Sequence, residues 1–168
     1  MWIKLLGAIA IIFCAWFLGK SLSGNLKRRE ESLRGFHSAL KLLESEISYS
    51  HNSMDVALKN IGKSVYMQGF FEEISKKVNE KGVRLAWRDA VLKYKEKLGL
   101  LEEDLRILLV LSSELGVTDK ENQIKNIRYV MSMLKDAENE AHEKFTSLSR
   151  LYRSLSMGAG AMAVILLI

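Results

Sequence analysis

Acidic and basic side chains are the most numerous reactive groups in this sequence, which has 20 Asp and Glu and 25 Lys and Arg among 168 residues. Paired carboxylates can perform general acid–base chemistry, and Glu72 with Glu73 is such a pair. Lys76 and Lys77 follow one helical turn later, the spacing at which opposite charges support a solvated helix face. We therefore interpret these carboxylates as surface charge rather than as catalytic groups.

Residue types that bind metals or act as nucleophiles do not recur at the spacing that such chemistry needs. The three histidines, His37, His51 and His142, are far apart, and Cys14 is the single cysteine. One cysteine makes neither a disulfide framework nor a metal site. No Gly-rich phosphate loop, HExxH, GxSxG or paired-cysteine motif occurs. The sequence predicts no enzymatic activity, no cofactor and no small-molecule substrate.

The charge balance adds no nucleic-acid signature. The formal net charge is +5. We find no basic stripe interleaved with aromatic residues of the kind that nucleic-acid binding uses.

The absence of proline is more informative about the fold, because average usage of about 5% would give roughly eight prolines in a chain of this length. It favours a nearly all-helical chain.

The longest pattern is a heptad stripe that begins after a capping box, Thr118-Asp119-Lys120-Glu121, and predicts one helix over residues 118–155. Only Glu138 interrupts its apolar positions. These positions are Ile124, Ile127, Met131, Leu134, Ala141, Phe145, Leu148, Tyr152 and Leu155.

A second stripe predicts a helix over residues 25–51, with Leu26, Leu33, Phe36, Leu40, Leu43 and Ile47 on one face. The two stripes should pack as an antiparallel pair. Four shorter amphipathic helices lie between them, three of them ending near Gly82, Gly99 and Gly116, and we expect Trp87 in the core. The predicted fold is all-α, an antiparallel helical bundle of about six helices.

The two ends of the chain are apolar. Residues 1–19 predict an N-terminal transmembrane anchor, with a cleaved signal peptide as the alternative. Residues 155–168 predict a C-terminal membrane segment, which is short for a full crossing, so a partial insertion stays open. Basic residues flank both segments on the side of the 20–154 body, and the positive-inside rule then predicts a cytoplasmic helical bundle.

Several stretches together resemble one family. They are MWIKLLGAIAII, LKLLESEISYSHNSMDVAL, the pairs Ala86-Trp87 and Ala90-Val91, ELGVTDKENQIKNI and LYRSLSMGAGAMAVILLI. In this order and spacing they are similar to the stage III sporulation protein AB family of endospore-forming bacteria. The resemblance extends over nearly the whole chain.

The resemblance implies a platform component of a secretion-like channel between mother cell and forespore. The family is similar to the platform proteins of type II secretion and type IV pilus systems. The implied partners are the secretion-type ATPase (stage III sporulation protein AA), other channel subunits of the same operon and the lipid bilayer. The implied location is the mother-cell side of the outer forespore membrane. The alternative function is a passive membrane-anchored coiled-coil scaffold that oligomerises through its heptad stripes.

The candidate partner-binding residues lie at the start of the long helix, the end farthest from the predicted membrane segments. They are Glu114, Asp119, Asn122 and Gln123. Two roles stay open for them, namely contact with the ATPase and the local chemistry of helix capping.

Overall fold

The computed structural model describes residues 2–49, 54–64, 67–116 and 119–167. These residues are almost entirely helical, so the prediction of an all-α chain is confirmed. The five helices of the described residues are α1 (Trp2–Tyr49), α2 (Met54–Ser64), α3 (Gln68–Leu98), α4 (Glu102–Glu114) and α5 (Lys120–Leu167).

The number and limits of the helices differ from the prediction of about six bundle helices with separate membrane segments. The described part of residues 1–19 belongs to α1, and that of residues 155–168 belongs to α5. The sequence carries no proline at which either helix would have to stop. Two predicted helices also fall within the single range of α3.

Helix α3 is interrupted at the predicted glycine. Gly82 has φ 76° and ψ 162°, a conformation that is almost confined to glycine. The two arms of α3, residues 68–81 and 83–98, fold back on each other. Lys93 Nζ donates to Glu73 Oε2 at 2.9 Å, and the Tyr94 hydroxyl donates to the Gly69 carbonyl at 3.0 Å. The prediction of two helices separated near Gly82 therefore describes the two arms of α3.

Glycines also end helices at the two other predicted positions. Gly99 has φ 67°, and Gly116 has φ 76°. After α3, the Gly99 N–H donates to the Glu96 carbonyl at 3.1 Å and the Leu100 N–H to the Lys95 carbonyl at 3.0 Å. This is the Schellman pattern, in which a left-handed glycine satisfies the last carbonyls of a helix.

The chain divides into two compact units. The terminal unit comprises Met1–Arg28 and Glu140–Ile168, and the bundle unit comprises Arg29–Asn139. Helices α1 and α5 contribute residues to both units. Within the described parts of the chain, no helix combines the length and the apolarity that a bilayer crossing requires.

In the bundle unit, α1 and α5 are antiparallel. Arg34 Nε donates to Glu138 Oε1 at 2.9 Å, and Arg128 Nε donates to Glu44 Oε1 at 2.7 Å. Lys120 Nζ donates to the Ser48 carbonyl at 2.8 Å. Residue numbers rise along α1 as those of its partners fall along α5, which supports the predicted antiparallel pairing.

The core of the bundle unit is built from the predicted stripes and one aromatic cluster. Six side chains of the two stripes are no more than 1% exposed, namely Leu33, Phe36, Leu40, Leu43, Ile127 and Leu134. The Phe70 ring lies edge-on to Phe36 at 5.1 Å and to Trp87 at 5.4 Å between centroids. Trp87 is fully buried, as predicted, and its Nε1 donates to the Leu108 carbonyl at 2.9 Å.

Candidate partner-binding site

The end of α4 and the start of α5 carry the four predicted site residues. Helix α4 ends at Glu114, and Leu115 follows with only 2% of its surface exposed. The Leu115 N–H still donates to the Leu111 carbonyl, at 3.2 Å. Gly116 then takes a positive φ, which an L side chain rarely adopts. A buried leucine and a left-handed glycine therefore fix where the chain leaves α4.

Asp119 caps the start of α5. Its Oδ1 accepts the backbone N–H of Asn122 at 2.8 Å, which satisfies one of the unpaired donors of the first turn. Its Oδ2 accepts from the Asn122 side-chain amide at 3.0 Å. The predicted cap, Thr118, lies outside the described residues. Among the residues that are described, the N-cap is Asp119.

Residues of α1 and α3 lie close to the end of α4 and the start of α5. A Cβ atom built on Gly116 would lie 3.9 Å from the Val83 side chain, next to the Gly82 break in α3. Lys120, the first residue of α5, bonds to Ser48 near the end of α1. We call this surface, comprising Ser48, Gly82, Val83, residues 114–116 and residues 119–123, the turn end.

Hydrogen bonds to a side chain join two of the four predicted residues, Asp119 and Asn122. Both are exposed, so their remaining acceptor and donor sites face solvent. Gln123 is half-buried, and its N–H donates to the Asp119 carbonyl at 3.0 Å. Glu114 contributes the last helical position of α4, and its side chain lies outside the described part. The cluster offers a carboxylate and amides, which suit recognition rather than bond-breaking chemistry.

A second polar cluster, which the sequence analysis missed, lies where α1 and α4 begin in the bundle unit. Arg29 binds Asp104 through two hydrogen bonds, Nε to Oδ2 at 2.8 Å and Nη2 to Oδ1 at 2.9 Å. Both residues are at most 2% exposed. Asp104 Oδ2 also accepts the Leu101 N–H at 2.8 Å, at the start of α4. The signal in the sequence was the position of Arg29, four residues before Leu33 on the apolar stripe of α1.

Glu138, the residue that breaks the long heptad stripe, has its partners in the same part of the bundle unit. It accepts hydrogen bonds from Arg34 at 2.9 Å and from Lys135 at 3.2 Å. Burial of the Glu138 side chain opposes ionisation, but these hydrogen bonds outweigh it and hold the pKa of the carboxyl below its usual value. Glu138 therefore remains an ionised contact between α1 and α5.

Among the described residues, no group of three or more His, Cys, Asp or Glu side chains is arranged to hold a metal ion.

The bundle unit and its turn end define an all-α helical-bundle protein with a polar, capped surface at one end. The sequence model for "Stage III sporulation protein AB (spore_III_AB)" matches residues 4–168. The chain belongs to the stage III sporulation protein AB family, which confirms the resemblance found in the sequence.

Two individual proteins illustrate the relationship. The chain is 26% identical over 171 residues to Stage III sporulation protein AB of Bacillus subtilis (strain 168), with 98% of this chain and 99% of that protein covered. A solved structure of Stage III sporulation protein AB (SpoIIIAB) superposes with a TM-score of 0.65 at 24% identity. It covers 71% of this chain and 97% of its own, and it supports the fold alone.

Proposed function

We propose that this protein is a non-enzymatic platform component of a sporulation secretion-like channel between mother cell and forespore. In this role it couples the channel to a secretion-type ATPase, the stage III sporulation protein AA. The family membership supports a role in sporulation. The arrangement of the bundle unit supports a role in mechanical coupling rather than in chemistry.

The observation that carries the proposal is the position of the turn end on the α1–α5 pair. The chain enters the bundle unit at Arg29 and leaves it at Asn139. Contacts along α1 and α5 run from Arg34–Glu138 to Ser48–Lys120, so the turn end lies at the other end of the pair. Because hydrogen bonds join α1 and α5 at both ends of the pair, the two helices resist sliding past each other. A partner at the turn end would thus act on both helices at once.

Membrane attachment is part of the proposal and rests on the sequence. Residues 1–19 would anchor the chain, residues 20–154 would face the cytoplasm of the mother cell, and residues 155–168 would form a second membrane segment. The bilayer would be the outer forespore membrane. Other channel subunits of the same operon would bind the same anchored body.

Glu114, Asp119, Asn122 and Gln123 are the proposed contacts with the ATPase. The hydrogen bonds of Asp119 serve the helix cap, yet its carboxylate is exposed. A capping residue can also contact a partner, because the cap uses one direction of each oxygen. The cap fixes the orientation of the carboxylate and so reduces the entropy lost on binding.

Binding of the purified ATPase to the full chain in uncharged detergent tests the site. Asp119→Asn keeps an N-capping side chain but removes the charge, so we expect weaker binding with unchanged stability. Asp136→Lys, a charge reversal at an exposed position of the same helix, is the matched control and should bind as the wild type does. Equal binding of Asp119→Asn and wild type would show the site assignment to be wrong. Absence of binding by folded wild type would refute the ATPase partnership.

The burial of the heptad stripes supports the platform over the scaffold hypothesis. A scaffold that oligomerises through these stripes needs their apolar side chains at a surface between chains. In the bundle unit, Leu33, Phe36, Leu40, Ile127 and Leu134 are instead buried within a single chain. Light scattering on the full chain distinguishes the two hypotheses, since the scaffold predicts a stable dimer that depends on the stripes.

A further inference from the structure

Three of the six arginines of the bundle unit differ from the others in their contacts. Arg29, Arg34 and Arg128 each bind a carboxylate within 2.6–2.9 Å. Arg84, Arg88 and Arg106 are exposed, and among the described residues they form no ion pair or hydrogen bond. Arginine is the side chain best shaped to bind carboxylates through two parallel bonds. The three unpaired arginines therefore stand out as binding groups.

The three arginines occupy exposed positions on two helices that contact each other. Arg84 and Arg88 are four residues apart on the second arm of α3, and Lys95 continues the same stripe seven residues later. Lys95 Nζ lies 3.8 Å from Glu102 Oε1 on α4. Arg106 is one helical turn after Glu102 and shares its face. The Trp87–Leu108 hydrogen bond joins the residue before Arg88 on α3 to the residue two positions after Arg106 on α4.

Apolar side chains are exposed on the same two helices. Leu85 is 40%, Leu92 44% and Val110 47% exposed. Leu92 follows Arg88 by four residues, and Val110 follows Arg106 by four, so each shares a helix face with an arginine. We call Arg84, Arg88, Leu92, Arg106 and Val110 the arginine face. Arginine mixed with exposed aliphatic residues is the composition typical of protein interfaces.

We propose that the arginine face binds an acidic amphipathic helix of a partner protein. Arg84 and Arg88 repel each other at this spacing, which weakens the isolated helix unless an anion lies between or opposite them. Carboxylates one turn apart on a partner helix match that spacing. Apolar residues of the same helix would cover Leu92 and Val110. The proposal does not depend on the identity of the partner at the turn end.

Photo-crosslinking in sporulating cells tests this proposal with the full chain. A photoreactive phenylalanine analogue replaces Leu92 on the arginine face or, as a positional control, Tyr129 on α5, which is 59% exposed. We expect a protein adduct from position 92 whose cross-linked peptide carries at least two carboxylates within one helical turn. Immunoblotting and circular dichroism verify the amount and folding of each variant.

Reversing the charge of Arg84 and Arg88 tests whether these arginines hold the partner, because the amount of adduct can be compared with that of the wild type. Arg84→Glu with Arg88→Glu should reduce the adduct by about tenfold, because two attractive charge pairs become repulsive. Lys59→Glu with Lys125→Glu makes the same change in net charge at exposed positions elsewhere and should leave the adduct unchanged. Replacing the two carboxylates of the captured helix by lysine should restore the adduct to the reversed variant. An adduct with lipid or nucleic acid, a peptide without carboxylates, no adduct, or an adduct insensitive to the reversal would each overturn the proposal.

Discussion

The guanidinium of Arg29 and the carboxylate of Asp104 form a two-point ion pair, at 2.8 and 2.9 Å, although 75 residues separate them in the sequence. The pair joins the stripe of α1 to the first turn of α4, and the Asp104 side chain is fully buried. Asp104 also accepts a hydrogen bond from the Leu101 N–H. Asp104 therefore holds α1 against α4 through Arg29, and it also caps the first turn of α4.

Removing Asp104 should strongly destabilise the bundle unit. Asp104→Leu leaves the Arg29 guanidinium buried without its carboxylate, which costs roughly 3–5 kcal/mol of unfolding free energy. Arg29→Met combined with Asp104→Leu removes both charges and should recover most of that loss. Urea unfolding of the full chain in detergent, followed by far-UV circular dichroism, measures the difference. A double variant as unstable as the single one would contradict this interpretation.

Gly82 should resist substitution because of its backbone conformation. At φ 76° and ψ 162°, an alanine would be strained, although a Cβ atom there would meet nothing within 4 Å. Gly82→Ala should lower the unfolding free energy by about 1–3 kcal/mol. Gly24→Ala also adds its methyl group to open space, but within regular helix α1, and should be neutral or stabilising. Equal effects of the two substitutions would show that the turn tolerates other conformations.

The pairing of the two α3 arms should depend on pH through Glu73. Hydrogen bonds from Lys77 and Lys93 lower the pKa of Glu73 from 4.5 to about 2. Because the folded-state value lies below the ordinary one, these contacts contribute stability above about pH 4.5. The contribution falls as the pH decreases below that value and is lost on passing through about 2.

Unfolding free energies measured between neutral and acidic pH check this dependence. Glu73→Gln should be less stable than wild type at neutral pH and should lose less stability on acidification. Glu96→Gln, at an exposed position of the second arm, is the control and should keep the wild-type dependence. Identical pH profiles for wild type and Glu73→Gln would refute the assignment.

Asp119 should contribute to stability as a cap, independently of any partner. Asp119→Ala removes the acceptor for the Asn122 N–H and should cost about 1 kcal/mol. Asp119→Asn and Asp119→Ser keep a side-chain oxygen and should retain most of that stability. Thermal unfolding of the three variants measures the series. If Ala were as stable as Asn, the hydrogen bond to Asn122 would have no net stabilising effect.

Local patterns predicted much of the fold. Gly82, Gly99 and Gly116 were recognisable as helix ends because no other residue takes a positive φ at so little cost, and all three have one. The stripes of α1 and α5 identified buried positions such as Phe36 and Leu134. These features depend on residues close together in the sequence.

Features that depend on partners far away in the chain were not predicted. In the sequence Arg29 does not differ from other charged residues, and its role follows only from its contact with Asp104. Glu138 interrupts an apolar stripe, and its role follows only from its contact with Arg34. The sequence does not predict the full ranges of α1 and α5, because the change to apolar composition suggests a boundary, whereas the helical backbone continues through it.

The candidate site was predicted in part. The capping box of Thr118 and Glu121 predicted a helix start near residue 119. The cap found among the described residues, the Asn122 N–H bonded to Asp119, was not predicted. The approach of Val83 to Gly116 required the arms of α3 to be folded. The arginine face was not predicted either, since its arginines differ from the others only in forming no ion pair or hydrogen bond among the described residues.

The buried indole of Trp87 can report on the state of the bundle unit through its intrinsic fluorescence. The chain has three tryptophans, of which Trp2 and Trp16 lie in the terminal unit and Trp87 lies in the bundle unit. With Trp2 and Trp16 replaced by phenylalanine, all indole emission would come from a ring packed against Phe70 and bonded to Leu108. Its spectrum would shift to longer wavelength when water enters the α3–α4 contact. Opening of the α3–α4 contact could thus be followed by fluorescence without attaching a dye.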